Sequence, residues 1–233
     1  MRAFVESTSW VFVLGATLMW VATSEAAPWV AKTLGADPML AWFIAVLAVV
    51  ALPLVVVAGT ILRREGRPTA PVLWRQRLRF RPMTSTDRRI ALRGIGVVAL
   101  TSAPLSGLLV ALYGLEALHP SFLGELPLGP ERRWLLAAWF PFWIINILGE
   151  EILWRGIVLP RQESSFGPRA WAFNAVGWGL FHVAFGWMML VMVLPILIVL
   201  PRAVQRTSNS WVGVCIHAAL NGPSFVIVSL GLL

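Results

Sequence analysis

The sequence predicts an all-α protein, a polytopic bundle of about seven transmembrane helices. Composition is the first reason: 58% of the 233 residues are hydrophobic and only 13% are charged, whereas soluble domains carry roughly 25% charged residues. The second reason is that the apolar residues form runs close to the ~20 residues that cross a bilayer as a helix. No repeat and no sustained strand-like alternation interrupts this pattern.

The apolar runs define the candidate spans in order, and their count is between six and eight. The second and third runs contain no charged residue, and two or three of the others are short or contain proline. The fourth ends at a proline that we expect to interrupt the helix. The runs are Ser9–Thr23, Met39–Leu62, Gly94–Leu115, Trp134–Pro160, Trp171–Gly186, Trp187–Leu200 and Trp211–Leu232.

Residues 1–26 allow two interpretations. Arg2, an apolar run and then Ser24-Glu25-Ala26 are typical of a signal peptide with a small-residue cleavage site, and equally of a short first span. We interpret the segment as an uncleaved span. The orientation of the later helices is the same in either case.

Arginine is concentrated in one connecting segment. Ten of the nineteen basic residues lie between Arg63 and Arg93, and all ten are arginine. The positive-inside rule places this segment in the cytoplasm. The net charge of +8 therefore indicates orientation in a membrane and gives no reason to expect nucleic-acid binding. We divide the chain here into residues 1–93, with the first spans and the Arg-rich loop, and residues 94–233, the helical core.

Within this loop, the stretch Trp74–Arg81 has arginine at every second position. We interpret it as an interfacial anchor that binds anionic lipid headgroups. The alternative is that it docks a substrate or gates access to the bundle, and the sequence does not separate the two.

Three ionisable residues lie well inside the fourth apolar run: Glu150, Glu151 and Arg155. Each charge near the centre of a span costs on the order of 3 kcal/mol on insertion scales. Such residues face the interior of a bundle or a water-filled cavity and mark function by default. The competing interpretation is a packing network without chemistry.

Helix geometry assigns different environments to the two glutamates. Glu151 and Arg155 are four residues apart, so they share a face and can form an ion pair. Glu150 is turned about 100° away from Glu151. We therefore expect Glu151 and Arg155 to neutralise each other and Glu150 to be the carboxylate available for general base or acid catalysis.

Two of the three histidines also fall inside apolar runs. His182 lies one turn after Trp178, and His217 lies one turn before Asn221 on the same helix face. His119 is interpreted as a surface residue. The lone Cys215 points away from His217 on a helix, and we interpret it as a buried structural thiol.

These motifs together resemble the CAAX-protease and bacteriocin-processing (Abi, CPBP) family. The resemblance rests on Glu150-Glu151-x-x-x-Arg155, then Trp178-x-x-x-His182, then His217-x-x-x-Asn221, and it covers roughly residues 134–225. Each motif alone is weak, but three in this order on apolar helices form a specific signal. One departure is visible: the second motif usually begins with Phe, and Trp178 stands here.

The resemblance implies an intramembrane glutamic endopeptidase similar to the CAAX prenyl proteases, although the family is often labelled a metalloprotease. By analogy, Glu150 with His182 would activate a water, and His217 with Asn221 would stabilise the oxyanion. Glu151, Arg155 and Trp178 would support the site. Substrates would be hydrophobic or membrane-associated peptides that arrive from the cytoplasmic side or the bilayer.

Metal dependence separates two forms of this hypothesis. Two histidines and a glutamate are sufficient zinc ligands in principle. There is no His-Glu-x-x-His motif, however, and a zinc-bound Glu150 would be lost as the base. We expect a mechanism without a cofactor and keep zinc as the alternative.

Two further functions remain open: a non-catalytic scaffold or bacteriocin-immunity protein of the same fold, and a transporter or proton relay. A transporter predicts paired broken helices in an inverted repeat, which the sequence does not show. Eighteen arginines against one lysine indicate a GC-rich bacterial genome, which predicts the bacterial inner membrane and argues against assuming a prenylated substrate.

Overall fold

The computed structural model describes residues 8–66 and 71–232, which are almost entirely helical and contain no strand. The all-α prediction is therefore confirmed. Arg2, on which the signal-peptide interpretation partly depends, and Arg67 of the Arg-rich loop lie outside the described residues.

The described residues form eleven α-helices: α1 Trp10–Val21, α2 Ala27–Leu34, α3 Pro38–Ala45, α4 Leu52–Arg64, α5 Pro71–Arg77, α6 Ser85–Tyr113, α7 Leu135–Glu150, α8 Leu159–Phe166, α9 Ala170–Phe181, α10 Trp187–Thr207 and α11 Ser210–Leu230. Three π-helical segments join consecutive α-helices: Ala22–Ala26, Val46–Ala51 and Glu151–Val158. Short 3₁₀ turns follow α6, precede α7, and flank α9.

Within the described residues, six helical stretches are long and apolar enough to cross a membrane. One of them, Leu135–Phe185, covers nearly all of the fourth and fifth predicted spans. When consecutive helical segments are counted together, the bundle therefore has about seven helices. With 12 residues, α9 is only ~18 Å long at 1.5 Å per residue. The protein is an integral, multi-pass membrane protein. The choice of membrane and the division into residues 1–93 and 94–233 stay predictions.

Several predicted boundaries were wrong because polar residues were taken as breaks. The first stretch continues to Leu34, since Ser24 and Glu25 are exposed there and the helix buries no charge. Helix α6 begins at Ser85 and not at Gly94. Its start is fixed by a capping box in which the Thr84 and Asp87 side chains each accept a backbone N–H.

We expected Pro160 to interrupt its helix, but the helix continues through it. The π-helical segment ends at Val158, and Pro160 lies in the first turn of α8, which runs on to Phe166. Proline is tolerated within this continuous helix because the backbone oxygen of Gly156, four residues earlier, accepts a hydrogen bond from Arg77 Nη1 at 2.9 Å in place of the N–H that proline lacks.

Helix α1 packs against the helices that carry the motifs. The Phe12 ring stacks on Trp154, with 4.4 Å between centroids. Buried Gln162 donates to Ser9 Oγ at 3.0 Å and accepts from Asn174 Nδ2 at 2.9 Å. A polar network therefore joins α1, α8 and α9 inside the bundle.

Three of the alternating arginines, Arg77, Arg79 and Arg81, bind carboxylates at the end of α4, on α8 and on α6, respectively, and we call them the arginine clasp. Arg77 donates to both oxygens of Glu65, at 2.5 and 2.6 Å, and to the backbone oxygen of Gly156 at 2.9 Å. Burial alone would raise the pKa of Glu65, but hydrogen bonds and charge from its arginine partners lower it overall.

The other two members of the clasp extend the contact to later helices. Arg79 donates to both oxygens of Glu163 on α8, at 2.9 and 2.5 Å. Arg81 binds Asp87 at 2.8 Å and the backbone oxygen of Thr207, at the end of α10, at 2.7 Å. The predicted binding of lipid headgroups by this loop stays a prediction, and the exposed arginines outside the clasp are the ones free for it.

Candidate active site

The first motif lies where the helix changes from α to π geometry. Helix α7 ends at Glu150, and Glu151 begins the π-helical segment that contains Arg155. All three side chains are buried, Glu151 and Arg155 completely and Glu150 with 9% exposed. A π-helical turn inside a longer helix is frequently found at functional sites.

The ion pair expected from the spacing is confirmed. Arg155 Nη1 lies 3.3 Å from Glu151 Oε1. The three guanidinium nitrogens of Arg155 have no hydrogen-bond partner among the described protein atoms. Its charge is balanced instead by the Glu151 carboxylate and by the face of the Trp178 ring, whose centroid is 3.7 Å from Arg155 Cζ.

Glu150 is held by two neutral donors. Asn146 Nδ2, one turn earlier, donates to Oε1 at 3.0 Å, and Trp178 Nε1 donates to Oε2 at 2.6 Å. Glu150 forms no ion pair within the described part of the chain. Each oxygen keeps a further lone pair, so the fixed carboxylate can still accept a proton.

Trp178 is the centre of the cluster. Besides binding Glu150 and stacking on Arg155, its ring contacts both intramembrane histidines edge-on, with centroid distances of 5.3 Å to His182 and 5.2 Å to His217. A phenylalanine could provide the stacking but not the N–H. The departure in the second motif therefore adds a hydrogen bond to Glu150.

His182 follows the last residue of α9, immediately before a 3₁₀ turn. Its Nδ1 lies 2.8 Å from the backbone oxygen of Trp178. Because a carbonyl oxygen only accepts, Nδ1 must be the protonated nitrogen. The neutral imidazole then presents the lone pair of Nε2 as an acceptor for a water or substrate proton.

His217, on α11, is 4% exposed and is oriented by Glu151. Its Nδ1 lies 3.0 Å from Glu151 Oε1, the oxygen that also faces Arg155. Because the carboxylate accepts, Nδ1 donates and Nε2 is the nitrogen left for chemistry. Glu151 is thus both the ion-pair partner of Arg155 and the orienting partner of His217.

Asn221 is not part of the cluster. Its side chain is exposed and makes no hydrogen bond to any described residue. It does lie one turn after His217 on α11, so the two residues share a helix face, as the spacing predicted.

Gly213 is a site residue that the motifs did not reveal. It precedes His217 by one turn, and a Cβ added to it would overlap Glu151 Oε2 and lie 3.0 Å from Val204 Cγ2. The absence of a side chain at Gly213 lets the buried carboxylate fit against α11. Asn146 was visible in the sequence one turn before Glu150, but its hydrogen bond was not predicted.

The side chains that could act as zinc ligands are not grouped as a zinc site requires. Among the described residues, no three His, Cys, Asp or Glu side chains stand close enough together to hold a metal ion. The guanidinium of Arg155 lies against the same cluster, 3.7 Å from the Trp178 ring centroid. A second cation here would be repelled by Arg155.

Comparison with known proteins supports the resemblance over the motif-bearing segment. Residues 132–222 match the family model described as type II CAAX prenyl endopeptidase Rce1-like, which is consistent with the CPBP family. No curated protein and no solved structure matches the chain.

Proposed function

Starting from the match of residues 132–222 to the Rce1-like endopeptidase family, we propose that this membrane protein is an intramembrane endopeptidase. It hydrolyses peptide bonds of hydrophobic or membrane-associated peptides with a water activated by Glu150 and His182. The observation that supports this most directly is the arrangement around Trp178, which contacts Glu150 and both intramembrane histidines.

In the proposed reaction, a water lies between Glu150 and Nε2 of His182. Glu150 takes one proton as the water oxygen bonds to the scissile carbonyl carbon, and that carbonyl becomes an oxyanion. When the C–N bond breaks, the proton passes to the leaving amine and the carboxylate is restored. The two neutral donors to Glu150 fix its direction without forming an ion pair that would quench its basicity.

His217 and Asn221 are proposed to stabilise the oxyanion. A protonated His217 would donate from Nε2, while Glu151 balances its charge through Nδ1. Asn221 is exposed on the same face of α11, so it would contact a substrate that lies along this face. Loss of an oxyanion donor typically costs ~3 kcal/mol of transition-state stabilisation.

The mechanism is proposed to use no metal, because the described His, Cys, Asp and Glu side chains form no group of three that could hold one, and the Arg155 cation lies against the same cluster. We propose hydrophobic or membrane-associated peptides as substrates because the site residues lie on apolar helices. Entry from the cytoplasmic side or the bilayer is proposed from the orientation that the Arg-rich loop predicts. Prenylated CAAX peptides are one probe among several hydrophobic peptides.

The test is a cleavage assay with the purified full-length chain on prenylated and unprenylated hydrophobic peptides, each with and without a strong chelator. We expect Glu150→Gln to abolish cleavage and the protein to remain folded. The matched control is Glu116→Gln, an exposed glutamate outside the spans, which should cleave like wild type.

The outcomes separate the hypotheses. Activity that is lost in Glu150→Gln and survives chelation supports the glutamate mechanism. Activity lost to chelation and restored by zinc overturns the metal-free proposal but retains the enzyme. A folded wild type that cleaves no peptide of the panel counts against the peptidase and favours the non-catalytic scaffold or immunity protein.

A further inference from the structure

A polar pocket that is open to the surface lies apart from the residues of the proposed active site. It has a volume of about 630 Å³ and is bounded by α8, the turn before α9, the start of α9 and the end of α10. None of the motif residues lines it. We call it the basic pocket, defined by Trp171, Arg202, Gln205 and Arg206.

The basic pocket carries unbalanced positive charge. Arg202 and Arg206 are exposed and four residues apart, so they project from the same face of α10. Neither forms an ion pair with a carboxylate in the described part of the chain. The one acidic residue of the lining, Glu163, is already bound through both oxygens by Arg79.

The walls of the pocket are held in place by one side chain. Gln205 Oε1 accepts from the backbone N–H of Trp171 at 2.7 Å, and Gln205 Nε2 donates to the backbone oxygen of Gly167 at 3.2 Å. The guanidinium of Arg202 lies over the Trp171 ring, 5.4 Å from its centroid. The pocket is therefore built before any ligand arrives, which lowers the entropic cost of binding.

The place of the pocket along the bundle indicates its ligand. Helix α10 is apolar up to Leu200, and Arg202 and Arg206 follow within two turns. A tryptophan and arginines at the end of an apolar helix are typical of headgroup depth. Guanidinium groups recognise phosphate oxygens through paired hydrogen bonds.

We propose that the basic pocket binds the phosphate group of an anionic phospholipid. Arg202 and Arg206 bind the phosphodiester, while Trp171 packs beside the glycerol region. The site is distinct from the arginine clasp, whose members are occupied by carboxylates, and it is independent of the proposed peptidase activity.

The test uses the purified full-length chain in a neutral detergent, with thermal unfolding measured as phosphatidylglycerol is titrated. Phosphatidylcholine at the same mole fraction gives the comparison for a zwitterionic lipid. Ligand binding to the folded state raises Tm, and we expect phosphatidylglycerol alone to raise it by several degrees. The double variant Arg202→Gln/Arg206→Gln should lose this rise, with at least tenfold weaker apparent binding.

The matched control is Lys32→Gln/Arg133→Gln, which removes the same charge from exposed residues outside both the basic pocket and the Arg-rich loop. It should keep the wild-type response. A double variant of the pocket that still responds like wild type overturns the proposal, and so does a control that loses the response equally.

Two further measurements address the ligand and the folding of the variant. Inorganic phosphate is also titrated, at the millimolar concentration used for phosphatidylglycerol. If it reproduces the rise in Tm, the ligand is a soluble anion and the lipid proposal is overturned. Native mass spectrometry of the wild type, which needs no variant, should retain phosphatidylglycerol in preference to phosphatidylcholine. Equal retention of both lipids overturns the proposal.

Discussion

A single methyl group at Gly213 should disturb the site although no ionisable residue is replaced. In Gly213→Ala the new Cβ would overlap Glu151 Oε2 and lie 3.0 Å from Val204 Cγ2. The carboxylate is fully buried and bound to His217 and Arg155. It can move only by weakening those contacts or by pushing α11 away.

The size of the effect follows from the two ways of relieving the overlap. Overpacking a buried site costs ~1–3 kcal/mol, and a lost hydrogen bond to a charged group costs roughly 1.5–3 kcal/mol. The higher helix propensity of alanine relative to glycine offsets up to about 1 kcal/mol of this cost. The net loss of about 1–2 kcal/mol should lower Tm by roughly 2–8 °C for a chain of this size, and cleavage should fall because His217 is displaced.

The control for this experiment is Gly149→Ala. Gly149 lies in α7 directly before Glu150, and a Cβ added there has no atom within 4 Å. Thermal unfolding in detergent and peptide cleavage should therefore stay close to wild type. If Gly213→Ala matched Gly149→Ala in both assays, the close approach of Glu151 to α11 would be refuted.

Three other predictions follow from individual contacts. Arg155→Met leaves a buried carboxylate without its cation and should lower the free energy of unfolding by about 3–5 kcal/mol, measured by denaturation in mixed micelles. Trp178→Phe keeps the ring and removes the N–H donated to Glu150, so kcat should fall roughly tenfold to a hundredfold with KM unchanged, matching the loss of one hydrogen bond to a charged group. Burial alone would raise the pKa of Asp37, but hydrogen bonds and the charge of Arg132 outweigh burial and lower this pKa. The contribution of the Asp37 carboxylate to folding stability is therefore complete above the unfolded-state pKa of about 3.9, and it is lost as pH falls through the lower folded-state pKa. Asp37→Asn should flatten this acid dependence of Tm.

The helical class and the order of the apolar helices could be predicted because they depend on local composition and length. The different environments of Glu150 and Glu151 were also predictable, since an angle of about 100° between neighbouring residues separates their side chains. The ends of the helices were less predictable. Ser24 and Glu25 were taken as a break although an exposed face accommodates them.

Contacts between residues distant in sequence explain what the sequence did not reveal. The bond from Arg77 to the Gly156 backbone oxygen joins residues 79 positions apart, and no periodicity encodes it. The same holds for the fit of Gly213 against Glu151. Trp178 was recognised only as an aromatic in a motif, because the direction of its N–H depends on how α9 packs against α7.

The π-helical segment Glu151–Val158 has a consequence for which changes of chain length this protein can tolerate. A π-helical turn closes hydrogen bonds over five residues where an α-helix uses four, so this segment accommodates an extra residue, and deletion of one residue here would restore ordinary α geometry with α7 and α8 still close to their present register. The same deletion inside α7 or α8 would instead rotate the two sides of the break by about 100° relative to each other. Among sequences related to this one, single-residue gaps should therefore be tolerated within residues 151–158 and in the connection between α6 and α7, and be rare within α7 and α8 themselves.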